Sequence, residues 1–422
     1  MQQTPAAPTI PLTLDQIDPF ISSDGSHLRG HCHDISLHSH FQPIYSLAHQ
    51  RIVGFEALVR PYLADGRPLP PLDLFGRASS LEETVFLDRL CRTLHLQNFA
   101  RQPNGATWLF LNLNPLVTVH GKHYGPFFRQ LLERHGIAPQ RVVIEILEGQ
   151  IGDENQLAEA LTYYRDMGCL IAIDDFGTGH SNFDRIWRLA PHIVKLDKSV
   201  VEQAIANPHA RRVLPGLVSL IHQAGSFALL EGIETEAQAM LALGADVDFV
   251  QGYFFARPAL QLPAARQHPA IARLFADLQD RDRLETEASR IRLAPYTGLF
   301  FEASIRIRAG EDPQPAAAAL LALPSVLRCY LLDAEGRQVN NNLLPPLDEN
   351  QDPRFEPLGD PSNAIWGRRH YYQRAIREPG RIQVSKPYLS ITGGSLCVTL
   401  SIAISTTEGL RVLCADVGLL DS

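Results

Sequence analysis

A chain of 422 residues, 45% apolar and 20% charged, is longer than most single domains and can bury more than one core. A formal net charge of −8 excludes binding of long nucleic acid by charge alone, because no Lys/Arg excess is available to displace counterions. The first residues lack the basic start and apolar stretch of a signal peptide, no apolar run approaches the roughly 18 residues of a membrane span, and six scattered cysteines form no CxxC pair. A cytoplasmic protein without membrane span or disulfide framework is therefore expected.

In chain order, the first distinctive segment is HLRGHCHDISLHSH, which gathers His27, His31, His33, His38 and His40 with Cys32 and Asp34. Zinc accepts such ligands, but the spacing fits no defined site, and a solvated lead-in strand ahead of the repeating region is the plainer reading. From about residue 40 to 258 one rhythm recurs: a short apolar run, a polar residue at its end, a turn, and a helix-like stretch. The runs are IVGFEAL, TWLFLNLN, RVVIEIL, LIAIDDF, HIVKLD, SFALLEG and VDFVQGY. Strands alternating with helices predict a parallel sheet covered by helices. Seven units opened by the hairpin-like pair FQPIYSL and IVGFEAL suffice for an α/β fold of the (β/α)8 TIM-like barrel type; an open doubly wound sheet has the same periodicity.

After Pro258 the pattern changes. Residues 268–293 carry Ile271, Leu274, Phe275 and Leu278 at helical spacing among many charges, which predicts an exposed connecting helix. Beyond it come a helix around AAAALLAL and strands in RCYLLDA, GRIQVSKPYLSI, SLCVTLSIAIS and LRVLCADVGL, with turns such as TGG and TTEG. These predict an antiparallel sheet in a smaller α+β domain. The boundaries read as a barrel over 28–262, a linker helix over 263–295 and the second domain over 296–422.

Each run of the first region ends in a residue that a core rejects: Glu56, Asn112, Glu145, Asp174 with Asp175, Lys195, Glu231 and Gln251. Taken singly, a strand-end acid is more often a helix cap or a surface ion pair. Together, a parallel barrel gathers them at one face. Five carboxylates at one rim repel one another unless cations sit among them. Oxygen donors without His or Cys select hard ions, Mg²⁺ or Mn²⁺, over Zn²⁺. Along a regular strand Asp174 and Asp175 would point to opposite faces. The turn beginning at Phe176-Gly177-Thr178-Gly179 is expected to bring both to a common rim, one for each of two ions, as in-line attack on a phosphodiester requires.

The segments FQPIYSL…IVGFEALVRP, FLNLNP, VIEILE, IAIDDFGTGHSN, VKLD, LEGIET and VQGYFFARP resemble, in order and spacing, the EAL domain of bacterial cyclic-di-GMP phosphodiesterases. The resemblance implies a barrel with one antiparallel strand, hydrolysis of cyclic di-GMP to linear pGpG, and two Mg²⁺ or Mn²⁺ ions. It makes Glu56, Asn112, Glu145, Asp174 and Asp175 metal ligands, Lys195 the holder of the attacking water, and Glu231 the general base or water-orienting group. Gln42, Arg60 and Gln251 fall where the family meets its substrate or flanks the metals, and Glu148 where it anchors the DDFGTG loop. Arg60, four residues past Glu56, lies on the same strand face. Two departures bear on loop geometry and rate rather than on the ligands: Leu147 and Gly149 replace the family's Thr and Ser, and His180 and Asn182 replace its Tyr and Ser. A catalytically weak cyclic-di-GMP receptor is the alternative.

The C-terminal region resembles the PAS/Cache-type sensory modules of signal transduction proteins. That likeness implies Arg369, Tyr372, Tyr388 and Asp416 as a candidate pocket for an unknown small ligand; a structural, dimerising sheet is the plainer reading. A homodimer is expected from the family and from the exposed helix.

Overall fold

The computed structural model of the chain describes residues 13–114, 117, 127–147, 154–178, 183–263, 268–339, 341–346, 361, 363–390 and 396–419. It divides into two units, residues 1–281 and 282–422.

In the first unit β1 (Ile21–Asp24), β2 (His27–Cys32), β3 (Ile35–Ser46) and β4 (Arg51–Tyr62) pair in succession, all antiparallel. Six parallel strands follow: β5 (Trp108–Asn112), β6 (Val142–Leu147), β7 (Leu170–Phe176), β8 (Ile193–Leu196), β9 (Phe227–Leu230) and β10 (Phe249–Val250). β10 then pairs antiparallel with β3. That last pairing closes the ring β3 to β10 into an eight-stranded barrel in which β3 alone is antiparallel to its neighbours, and it rules out the open sheet.

Alternation along these strands builds the site. Ile44, Phe110, Val143, Ala172, Ile193, Leu229 and Phe249, one from each of seven strands, form a buried cluster of their own. Their neighbours in sequence, among them Leu109, Leu111, Ile144, Ile171, Ile173, Val194, Ala228 and Leu230, belong to the larger core shared with the helices. Side chains two residues apart share a face. The layer above the apolar plug therefore consists of Gln42, Asn112, Glu145, Asp174, Lys195, Glu231 and Gln251. Glu56 completes it two residues past Gly54, a position at which any side chain would run into the Phe110 ring.

The His-rich segment does not merely precede the barrel. His27 and His31 lie on β2, whereas His38 and His40 lie on β3, a barrel strand that is twelve residues long and extends well past the Gln42–Glu56 pair. A ribbon with one solvated face reads the same from sequence whether or not it continues into a barrel.

The helix Leu81–Ala100 is capped by Ser80, whose hydroxyl accepts from the Glu83 amide at 3.2 Å. Asn98 on it bonds the Leu28 backbone from both ends of its amide, at 2.8 and 3.0 Å.

The predicted connecting helix runs further than expected, from Pro269 to Arg308 and through Pro295. Ile271 and Leu274 near its start belong to the first unit's core, and Phe300, Ala303 and Ile307 near its end to the second unit's.

The second unit is an antiparallel sheet of β11 (Val326–Leu332), β12 (Gln383–Val384), β13 (Tyr388–Leu389), β14 (Leu396–Thr406) and β15 (Gly409–Gly418), in the order β11-β15-β14-β12 with β13 also on β14. One set of its side chains packs with Phe300, Ala317 and Leu320, and another, including Tyr330 and Cys414, with Tyr371, Tyr372 and Ala375 of the helix His370–Arg377. The run GRIQVSKPYLSI is two short strands rather than one. Pro387, which cannot donate to a ladder, lies between them. Among the described residues no helix is long and apolar enough to cross a membrane.

Candidate active site

Lys195 is the hub of the polar layer. Its ammonium lies 2.6 Å from Glu145 Oε1, 2.6 Å from Glu231 Oε1, 2.9 Å from Asp174 Oδ1 and 3.8 Å from Glu56 Oε1. Glu56 in turn accepts from Asn112 Nδ2 at 3.0 Å through Oε1 and from Gln251 Nε2 at 2.6 Å through Oε2. Gln251 also donates to Gln42 Oε1 at 3.2 Å, and Gln42 donates to the Ala256 carbonyl. Seven of the residues read from the strand ends thus form one connected network around a buried lysine.

Asp175 joins the network by a route that differs from the expectation. Both aspartates lie within β7, not beyond it, and the pairing with β8 slips between Ile173 and Phe176. Asp175 has a φ of 58°, a left-handed conformation that costs a non-glycine residue energy and turns its side chain from the face that alternation would assign. Carboxylate oxygens of Asp174, Asp175 and Glu231 all come within 4.8 Å of one another. Gly177 follows with a φ of 110°, where a Cβ would collide with Val200. Gly252 beside Gln251 has no room either, since a Cβ there would overlap the Ile233 backbone.

The electrostatics follow from burial and from excess negative charge. Burial alone would depress the Lys195 ammonium, but Asp174, Glu145, Glu231 and Glu56 outweigh it and hold the group well above its ordinary range. Burial raises Glu145 well above the carboxylate range against the pull of Lys195, and pushes Glu231 up to about 8. Burial, then Asp174 and Asp197, raise Asp175 to about 6. Four carboxylates share one ammonium with Asp175 close by, and Glu145, fully buried, has an Oε2 that meets no hydrogen-bond donor among the described residues. Removal of such an oxygen from water is costly unless a cation or donor replaces the water. The donor set contains oxygen alone, and it fits hard divalent cations: Glu56, Asn112, Glu145, Asp174 and Asp175 would hold them.

Arg60 lines a cavity of 240 Å³ together with Asn112, Asn114, Asp88, Arg92 and His95, beside the polar layer. Four of these residues, Asn114, Asp88, Arg92 and His95, were not legible as site residues. Asp88 and Arg92 form a buried ion pair one helical turn apart, and Asp88 Oδ1 also accepts from the Asn114 amide at 3.2 Å, just beyond Asn112. Three charges, Asp88, Arg89 and Arg92, in the apolar run TVFLDRLCRTL were the available signal. Asp197 was passed over too; it caps the helix Lys198–Ala206 through the Ser199 amide at 2.9 Å. Glu148, Gly149, His180 and Asn182 lie outside the described residues, as does the side chain of Leu147.

In the second unit three of the four candidate pocket residues fall together. Asp416, fully buried, accepts from Arg328 Nε at 2.8 Å and from Thr399 Oγ1 at 2.8 Å, with the Tyr388 hydroxyl at 3.4 Å. The Arg369 guanidinium lies 5.9 Å from the ring centroids of both Tyr388 and Trp366. Tyr372 is turned elsewhere and donates to the Ala334 carbonyl at 2.6 Å. Arg328, the ion partner of Asp416, had not been singled out.

Residues 26–258 match the family model of the EAL domain. The signaling protein YkoW of Bacillus subtilis is 28% identical over 225 residues, 52% of this chain and 28% of its own length. The cyclic di-GMP phosphodiesterase RocR of Pseudomonas aeruginosa is 30% identical over 229 residues, 52% of this chain and 57% of its own. The chain therefore spans about a quarter of one of these relatives and just over half of the other. The fold is shared with the crystal structure of Bacillus subtilis YkuI, a protein with an EAL domain in complex with substrate c-di-GMP and calcium, at a TM-score of 0.75 and 24% identity, over 91% of this chain and 97% of that one. With more than half of its residues matching the family model, and a barrel closed by one antiparallel strand, the chain belongs to the EAL-domain family.

Proposed function

We propose that the chain hydrolyses cyclic di-GMP to linear pGpG, using two Mg²⁺ or Mn²⁺ ions held by Glu56, Asn112, Glu145, Asp174 and Asp175. The observation that carries this reading is the oxygen-lined layer, in which four carboxylates share one ammonium, Asp175 stands beside them, and Glu145 Oε2 has no donor among the described residues. The name of RocR supports the substrate. Bound there, the ions supply an acidified water and neutralise charge on the phosphate. Lys195, braced by Glu145, Asp174 and Glu231, presents a fixed ammonium that orients the water. Glu231 lies at the same ammonium and takes up or steers the proton. Arg60 offers a planar fork for a phosphate or a guanine edge, and Gln42 and Gln251 tie Glu56 to the substrate side of the layer. Glu56→Ala or Asp174→Ala is expected to abolish turnover in saturating Mn²⁺, as chromatography of pGpG would show; a wild-type rate in either variant would misplace the site.

Residues 296–422 serve, in this reading, as a PAS/Cache-like regulatory module, with Arg369, Tyr388 and Asp416 near any small ligand it takes, in a cytoplasmic signalling enzyme. The chain acts as a homodimer, because the helix Pro269–Arg308 leaves Leu284 72% and Ile291 65% exposed one heptad apart. Light scattering should give twice the chain mass, reduced by Leu284→Glu with Ile291→Glu; a monomer mass for the wild type would contradict this.

A further inference from the structure

His95 reaches the edge of the candidate site from the helix Leu81–Ala100 and belongs to none of the groups placed around the metals. A chain of hydrogen bonds fixes where its proton sits. The Asn98 carboxamide is oriented by the Leu28 backbone, whose N–H its Oδ1 accepts at 2.8 Å and whose carbonyl its Nδ2 meets at 3.0 Å. Asn98 Nδ2 also donates to Ser39 Oγ at 3.4 Å, and Ser39 Oγ lies 2.8 Å from His95 Nδ1. A hydroxyl that accepts on one side has its proton to give on the other. His95 Nδ1 therefore accepts. Burial and Arg60 lower the ring's pKa to about 3, so the neutral imidazole carries its proton on Nε2. With Nδ1 engaged by Ser39, Nε2–H is the polar group that the ring offers to the 240 Å³ cavity it lines.

Arg60 lines the same cavity. Its Nη1 donates to the Val59 carbonyl, and no carboxylate pairs with it among the described residues. Asp88 and Arg92 are paired with each other, and Asn112 donates to Glu56. Free N–H donors thus meet the cavity from His95 and Arg60, while Pro71, Leu72 and Phe75 line it with apolar surface. Leu72, 77% exposed, gives it a bare apolar lip. The cavity suits one flat heterocycle, being smaller than the roughly 300–1,000 Å³ of pockets that enclose whole drug-sized ligands.

We propose that His95 sets the base preference of the site, its Nε2–H acting with Arg60 to read the O6 and N7 edge of guanine; this rests on the reading of the barrel as a cyclic di-GMP site. That edge presents two acceptors, whereas adenine presents N7 as an acceptor and N6 as a donor. An adenine amino group there would face other N–H groups and find no acceptor, which costs the binding of any buried donor.

Calorimetric titration of the full chain in Ca²⁺ with cyclic di-GMP and with its adenine analogue, cyclic di-AMP, tests this. The wild type should bind the guanine form at least about tenfold more tightly. His95→Phe keeps a flat ring without the donor, and should weaken cyclic di-GMP about fivefold to tenfold while leaving the adenine form unchanged. A glutamine pairs with N6 and N7 of adenine. His95→Gln should therefore weaken the guanine form and strengthen the adenine form, a gain that a damaged fold cannot produce. Wild-type binding that is absent or equal for the two nucleotides, or a guanine preference unchanged in both variants, would overturn the proposal. Formation of pGpG in Mn²⁺ by the same preparations is a separate readout. Turnover with an unchanged preference in the variants defeats this inference alone, and the predicted preference without turnover defeats the phosphodiesterase reading alone.

Discussion

Without the Lys195 ammonium, Glu145, Asp174 and Glu231 would face one another in a buried layer with no counter-charge. Lys195→Met is therefore expected to lower the stability of the metal-free chain by about 3–5 kcal/mol, the usual cost of stranding one side of a buried ion pair. Mn²⁺ should restore part of the loss. Urea unfolding with and without the ion measures both effects, and an unchanged midpoint would show that the carboxylates are neutralised by other means. At this scale the sequence was informative because the period of two that makes a strand also selects its inward residues. Each plug residue, from Phe110 to Phe249, is followed two positions later by a polar group. Asp175 broke the period and was still found, because adjacent carboxylates in an apolar run are conspicuous. The backbone device that delivers it, a left-handed residue at a slipped pairing, leaves no mark in residue type.

At the scale of elements, the helix Leu81–Ala100 does more than cover the barrel. Asp88 on it bonds the Asn114 amide and so holds the chain just after Asn112 leaves β5. Asp88→Ala strands the buried Arg92 and frees that turn. The expected result is a loss of about 3–5 kcal/mol together with weaker Mn²⁺ binding, whereas Asp88→Asn, which keeps an acceptor, should recover binding more than stability. Equal Mn²⁺ affinity in wild type and Asp88→Ala, by calorimetric titration, would reduce Asp88 to a packing role. This link was hidden in the sequence because a charged pair four residues apart on a helix is usually a solvated one. Only the fold shows that helix face turned inward, with Arg92 and Asp88 almost wholly buried. The continuation of Pro269–Arg308 through Pro295 was hidden for a similar reason. Proline ordinarily marks a helix end, yet Phe300, Ala303 and Ile307 secure the far side in a core, and Tyr296 donates to the Pro324 carbonyl at 2.8 Å.

For the whole molecule, strand rhythm and composition were enough to expect a barrel and a second, antiparallel unit, while closure itself rests on the β10–β3 pairing, two residues long and invisible in sequence. The barrel's stability should also carry a pH signature from His95, buried beside Ser39 with its Nδ1 2.8 Å from that hydroxyl. Burial, with Arg60 adding to it, lowers its pKa from 6.5 to about 3. The unfolded chain thus binds a proton that the folded chain refuses between those values, so this contribution is complete above about pH 6.5 and shrinks as pH falls toward 3. By pH 5 the loss should be ~2 kcal/mol. Unfolding midpoints at pH 7.5 and 5 should differ less in His95→Gln than in the wild type, and equal differences would show that His95 takes up its proton without unfolding.

The oxygen-lined layer around Lys195 is tested most directly by incubating the full-length chain with cyclic di-GMP and following the products by chromatography, first with a chelator and then with Mg²⁺ or Mn²⁺ restored. The account predicts no conversion in chelator and steady formation of linear pGpG once the ion returns. Tight binding of the nucleotide in Ca²⁺ with no pGpG formed in Mg²⁺ or Mn²⁺ would contradict it and make the chain a receptor.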